Sequence, residues 1–220
     1  MLGSVTFRAY SWGVAQLGLF PLPLVLVPTE RVPLHIFEPR YRELIGECIE
    51  RDDDFGIVLL EPSGELRHVG TRANVTQVLG VLPDGRLNVV VEGGDRFRLL
   101  SVGDERSFAV GTVEEVVDDE GEVADPADVE RALDLYARLQ VTAGDSRAAP
   151  DAESALLDWE LAARVEFPAE RKQELLELTS TRRRFGLLAE LLEHALTALE
   201  VEGEIHRRAS TNGKVTPLSP

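Results

Sequence analysis

Two lysines, one cysteine and four histidines are the residues with which this chain could do covalent or metal chemistry. A serine–lysine peptidase dyad needs a lysine buried beside its nucleophile, so that the amine is neutral enough to accept a proton. Lys172 falls in the charged run Glu170-Arg171-Lys172-Gln173-Glu174, which reads as a solvated helix face, and Lys214 falls in a polar tail. Neither reads as a base. No G-x-x-x-x-G-K-[ST] run is present to cradle nucleotide phosphates on backbone amides. His35, His68, His194 and His206 show no metal-ligand spacing and have no C-x-x-C companion, so no metal and no cofactor are expected. Cys48 lies on the apolar face of a helical pattern and reads as a small buried hydrophobe rather than a reactive thiol. A lone cysteine forms no intrachain disulfide, which suits a reducing, cytoplasmic compartment.

Three basic features could bind rather than react. Arg96 and Arg98 flank Phe97 on one strand, a basic and aromatic pattern like that of RNA-binding sheets. Arg182-Arg183-Arg184 occupies the first turn of a helix, where the dipole disfavours cations. It reads as a solvated turn or as a contact for an acidic partner. His35 reads as a hydrogen-bonded strand histidine or a groove contact, and Glu38 and Arg40 as a structural pair. The whole chain carries 39 acids against 23 bases, a net charge of −16. Residues 1–110 hold 15 acids and 11 bases, residues 111–220 hold 24 and 12. That field repels phosphate backbones and anionic lipid, so nucleic-acid and membrane partners are disfavoured. No apolar run approaches the ~18 residues a membrane span needs, and Gly18 to Val27, broken by Pro21 and Pro23, does not read as a signal peptide.

The elements that must position these residues fall into two halves. Phe20 to Leu44 opens with an apolar run interrupted by Pro21, Pro23, Pro28 and Pro33. Each proline removes a ladder donor, so this stretch reads as a bent or edge strand rather than a regular central one. Pro39 then suits the first position of a helix over 39–51, with Glu38 as its capping carboxylate and Tyr41, Leu44, Ile45, Cys48 and Ile49 on one face. Phe55–Leu60 reads as a buried strand. Val75–Leu82 and Arg86–Val91 flank Pro83-Asp84-Gly85 as a hairpin. Gly93-Gly94 reads as the next turn, with strands over 95–102 and 108–117 after it. Short strands joined by tight turns predict a small barrel or curled sheet.

Glu114 to Glu130 holds nine acids and no base and reads as a solvated connector. Asp125-Pro126 starts a helix whose face is Val129, Ala132, Leu133, Tyr136 and Leu139. Asp151 caps a second, with Leu156, Trp159 and Ala163, ended by Pro168. A short helix passes through Leu175 and Leu176. Thr179 or Ser180 caps a last one, with Phe185, Leu188, Leu192, Ala195, Leu196 and Leu199 as its packing stripe. The division is therefore a β-rich part over 17–122 and a helical part over 123–208. Residues 1–16 are an unassigned extension and 209–220 a tail expected to be disordered.

Leu19-Phe20-Pro21-Leu22-Pro23 and Pro33-Leu34-His35-Ile36-Phe37-Glu38-Pro39-Arg40-Tyr41 resemble the start of the Lon protease N-terminal, substrate-binding domain family, which also occurs as a stand-alone protein. Phe55-Gly56, Val69-Gly70-Thr71-Arg72-Ala73-Asn74-Val75, Leu82-Pro83-Asp84-Gly85-Arg86-Leu87-Asn88, and Glu92-Gly93 followed by Arg96-Phe97-Arg98 continue the likeness. Lys172 to Glu177 and Arg184-Phe185-x-x-Leu188 resemble its helical half. The resemblance spans residues 17 to about 200 in order. It implies an α+β fold, an N-terminal PUA-like β pseudobarrel followed by a C-terminal α-helical bundle. It also implies a non-catalytic protein that recognises unfolded or damaged polypeptides, or an adaptor in proteolysis acting with a protease. Such a module needs an exposed apolar groove or sheet edge. The residues expected there are Leu22, Leu24, Leu34, His35, Ile36, Phe37 and Tyr41. Two other readings stand beside it: an RNA-contacting module, since PUA-like folds bind RNA elsewhere, and a peptidase label inherited without an active site. Client, partner and oligomeric state stay open.

Overall fold

Proline placement decides how the first strands pair. The computed structural model describes residues 14–212, with side chains through 205. β1 (Ala15–Leu22) divides its length between two neighbours. Ala15 to Gly18 run antiparallel to β6 (Val110–Glu115), and Leu19 to Leu22 run parallel to β3 (Phe55–Leu59). Pro21 stands opposite Val58 in the half that has left β6 behind, so its missing N–H costs no second ladder. A strand in mid-sheet thus tolerates the proline that argued against one. β2 (Arg31–Ile36), which holds Pro33, pairs antiparallel with β5 (Leu87–Gly103) and has no second strand beside it among the described residues.

The 17-residue β5 organises the sheet. Its first part pairs with β2 and β4 (Val69–Val81), its last part with β6. Since β4 continues to β3, β3 to β1 and β1 to β6, five strands close on themselves and β2 hangs from β5 as the remaining edge. Gly93-Gly94 is not a turn. β5 runs through it, and the register to β4 shifts between Thr71 and Ala73, so the glycines absorb an irregularity in a continuous strand. The turn at Gly85 is real: its φ is +81°, and Leu82 N donates to Arg86 O at 2.8 Å.

The mixed sheet encloses two apolar clusters. One gathers Phe20, Leu26, Ile36, Tyr41, Ile45, Phe55 and Val91 with α1 (Pro39–Arg51). The other gathers Leu17, Leu19, Phe97, Leu99 and Val113. Phe97 needs glycines beneath it. A Cβ on Gly70 would stand 2.6 Å from its ring and 2.5 Å from Ile57 O, and one on Gly56 would stand 2.8 Å from the ring. α1 starts at Pro39 as expected, but Glu38 makes no side-chain cap. Its carboxylate is taken by Arg40 Nε at 2.9 Å instead. Asp52 closes the helix in a left-handed conformation, with a backbone bond to Cys48 O.

Residues 14–26 and 31–117 form one compact unit, and residues 27–30 with 118–212 another. In the second unit α2 (Pro126–Ala143), α3 (Leu157–Ala162) and α4 (Ala169–Glu177) each pack on α5 (Thr181–Asn212). Asp125 caps α2 through Ala127 N at 2.9 Å. Ser180 Oγ receives Arg183 N at 3.2 Å and so caps α5. Asp151 organises a turn before α3, which is shorter than the pattern suggested and begins only at Leu157. α5 reaches Asn212, so residues 209–212 are helical rather than disordered. The expectations for residues 1–13 and 213–220 lie outside the described residues.

Three charged readings change here. Lys172 is no solvated lysine: it is buried, and Nζ meets both oxygens of Glu30 at 2.6 and 2.7 Å. Arg184 is 2% exposed. It donates to Asp158 at 2.6 Å, to Asp118 through both terminal nitrogens and to Leu178 O at 2.8 Å, with its guanidinium over the Trp159 ring. The acidic run after Val117 is exposed at Asp119, Glu120 and Glu122 as expected, but it is also bonded to the helices. Asp119 N donates to Thr179 O, and Thr179 and Ser180 hydroxyls donate to Asp119 and Glu122 at 2.7 Å.

Candidate functional site

An edge strand offers chemistry of its own, a row of backbone donors and acceptors with one side unclaimed. β2 is that edge. Its side chains alternate. Val32 and Leu34 are half-buried against the larger apolar cluster and Ile36 is part of it, while Arg31, Pro33 and His35 are exposed. The exposed row is built from pairs with β5. Arg31 Nε meets Glu92 at 2.7 Å, and His35 Nδ1 lies 2.7 Å from Asn88 Oδ1. Phe37 follows the strand at 60% exposure, stacked on His35 with ring centroids 6.1 Å apart. Beyond β5 the β4 end of the hairpin adds exposed Val78, Leu79 and Val81.

The seven residues expected in a polypeptide groove therefore separate. His35 and Phe37 are exposed at the edge. Leu22, Leu24 and Leu34 are half-buried and pack against the core. Ile36 is 1% and Tyr41 6% exposed, so both act as core and support the surface from beneath. Tyr41 packs on Phe20 at 4.2 Å, and burial pushes its phenol above its ordinary range against the pull of Arg40. Val78, Leu79 and Val81 were missed. A hairpin tip with exposed valines has no periodicity to separate it from a buried strand, and only the excess of apolar residues close to Pro83-Asp84-Gly85 hinted at it.

The same unit holds a second concavity, of about 610 Å³, between the last turns of α1, β1 and the end of β5. Its charges answer one another. Arg106 is held by Glu47 and Glu43, and Arg51 meets Glu47 at 3.1 Å. Hydrogen bonding from Arg106 keeps the Glu47 carboxyl below its usual range. Cys48 lines this concavity, and burial first, then Asp53, Asp54 and Glu47, push its thiol up to about 11. A thiol so disposed is a poor nucleophile at neutral pH. Among the described residues no group of three or more His, Cys, Asp or Glu is placed to hold a metal ion. No described helix is long and apolar enough to cross a membrane. Phe97 is fully buried and Arg96 nearly so, which leaves the 96–98 strand without an exposed ring on which a base could stack.

Comparison with known proteins bears on this arrangement. The family model for the ATP-dependent protease La (LON) substrate-binding domain matches residues 16–194. Lon protease 1 of Hydrogenovibrio crunogenus is 28% identical over 202 residues, which is 84% of this chain and 24% of that protein. Lon protease of Clostridioides difficile is 30% identical over 163 residues, 67% of this chain and 20% of that one. The chain thus spans about a quarter or less of the length of these relatives. Among solved structures, the Lon N-terminal domain protein from Xanthomonas campestris matches with a TM-score of 0.61 and 26% identity, over 79% of this chain and 96% of that one. The N-terminal domain of the Mycobacterium avium complex Lon protease shares the fold with a TM-score of 0.59 at 18% identity, over 81% and 98% of the two chains.

Proposed function

The chain belongs to the Lon substrate-binding domain family, and from that premise we propose that it recognises unfolded or partly folded polypeptides without cleaving them, its contact surface being the open edge at β2. The observation that carries this reading is a sheet edge with one strand neighbour among the described residues, followed by a phenylalanine that is 60% exposed. An extended client segment can add its backbone to such an edge while an apolar side chain rests on Phe37. Pro33 removes one donor from the strand, which limits indiscriminate pairing with other sheets. On this reading the closed ring of strands with its hanging edge is the PUA-like pseudobarrel the resemblance implies, and the helices on α5 are its bundle. The cytoplasm is the compartment that suits one buried thiol.

The placement of Lys172 supports the non-catalytic part. Lys172 is committed to Glu30, where a proton-accepting amine would have to be neutral. The test is a fluorescence titration with a permanently unfolded labelled protein, comparing wild type with Phe37→Ala. Saturable binding by the wild type and roughly tenfold weaker binding by the variant are expected, as for loss of an aromatic anchor. A correctly folded wild type that leaves the labelled protein unbound removes the reading.

A further inference from the structure

The helical unit has an apolar cleft beside the start of α2. Val129 and Leu133 were read as core positions of α2, yet both are only half-buried, because Leu135 and Tyr136 take the packed face. They form one wall of a cleft of about 430 Å³, completed by Val123, Pro126, Leu157 and Phe185. That volume suits one or two large side chains, within the usual range of small binding pockets. Its polar content has one sign. Glu130 and Asp158 line it, and no lysine or arginine does. Asp158 is spent on Arg184, but the Glu130 carboxylate makes no hydrogen bond or ion pair among the described residues. Exposed Asp125 and Glu153 stand next in sequence to lining residues on opposite sides. Of the cations nearby in sequence, Arg131 pairs with Glu193 at 2.8 Å, and the exposed Arg182 side chain donates only to the neutral Val123 O at 3.4 Å, so its charge stands at the Val123 end of the cleft, away from Glu130 along the chain.

We propose that this cleft docks a polypeptide segment in which a large apolar side chain is flanked by lysine or arginine. The apolar wall supplies the anchor, and the Glu130 and Glu153 carboxylates at the rim favour a cationic neighbour over an acidic one. A second copy of this chain is a poorer occupant, because the acidic surface of one copy repels that of another at net −16. The surface is separate from the β2 edge and stands whether or not that edge binds clients.

Fluorescence polarisation decides the matter with two labelled peptides, one carrying a Leu-Phe pair between arginines and one with those arginines replaced by glutamates. Wild type is expected to bind the first roughly tenfold more tightly than the second, and Glu130→Lys with Glu153→Lys to reverse that order. Both substitutions are at exposed positions and are expected to leave the fold intact. Val141→Ala, at an exposed apolar position outside the cleft, serves as a control and is expected to leave this binding unchanged. Weaker binding by Phe37→Ala with no effect of the charge reversal moves the contact to the β2 edge and overturns the proposal. Equal binding of both peptides to wild type, or binding of neither, also overturns it. So does a dimer in sedimentation velocity that Leu133→Ala separates, since the occupant is then a second copy.

Discussion

The two units solve the problem of buried polar groups in opposite ways. In the strand-rich unit, Arg96 and Thr71 are the polar or charged residues among the buried ones described. In the helical unit Asp158, Lys172, Gln173, Ser180 and Arg184 are all buried. A sheet that closes on itself satisfies its backbone through its neighbours, so its interior can be filled with apolar side chains at period two. Short helices cannot do this. α3 has six residues and α4 nine, and each end leaves carbonyls and amides without helical partners. Arg184 answers one of these at Leu178 O while holding two carboxylates. The first unit is held by close packing, the second by packing around residues such as Tyr136, Trp159 and Leu188 with a few charge-assisted bonds inside it.

That contrast can be broken by experiment. Phe97→Ala removes a fully buried ring that spans Gly56 and Gly70, and a loss of about 3–5 kcal/mol in urea unfolding is expected for such a truncation. A loss below about 1 kcal/mol would show that the sheet does not depend on packing there. In the helical unit Arg184→Ala should cost about 3 kcal/mol, because Asp158 is left buried without its cation. Burial works against the Arg184 charge, yet bonds to Asp118 and the attraction of Asp158 hold its pKa above the ordinary value. Arg184→Lys should recover little, since an ammonium cannot span both carboxylates as the fork does. Full recovery would reduce the clamp to simple charge.

Smaller effects sharpen the same contrast. Thr29 is a β-branched residue at φ +67° with a buried hydroxyl that finds no partner. Thr29→Gly should raise stability by about 1 kcal/mol, measured by thermal melting, because the left-handed strain disappears. The smallest effect belongs to Cys48. Its thiol titrates at about 11 in the folded chain against 9.0 when unperturbed, so folding favours the protonated form. Its contribution is therefore fully present below about pH 9 and is lost as pH rises towards 11. Native protein at pH 8 should resist a thiol-specific reagent until denaturant is added. Rapid labelling would mean that the concavity beside α1 opens to solvent.

Much of the architecture was legible because period and punctuation are local. The α1 face except Ile49, which is 40% exposed, the Gly85 turn, the Asp125 cap and the α5 stripe through Phe185, Leu188, Leu192 and Leu196 all follow from neighbours within a few residues, and each is present. Of the edge, Pro33 marked the strand but not its partner, and Phe37 and Ile36 looked alike although one is solvent-facing and the other core. Gly93-Gly94 carried the signature of a turn and became a point of register shift, because β4 continues alongside. Lys172 read as solvated because Glu30 is far away in sequence.

The sequence alone determined which segments bend, which are helical and which faces are apolar, together with the family likeness carried by its ordered motifs. These follow from backbone sterics and short-range periodicity, which act within a few residues. Tertiary structure alone decided that β2 is the strand left with an open side among the described residues, that Arg184 and Lys172 are enclosed by distant carboxylates, and that Val129 and Leu133 stay half-uncovered. Those outcomes depend on which surfaces exclude water together, and exclusion of water is a property of residues brought close by folding rather than by order along the chain.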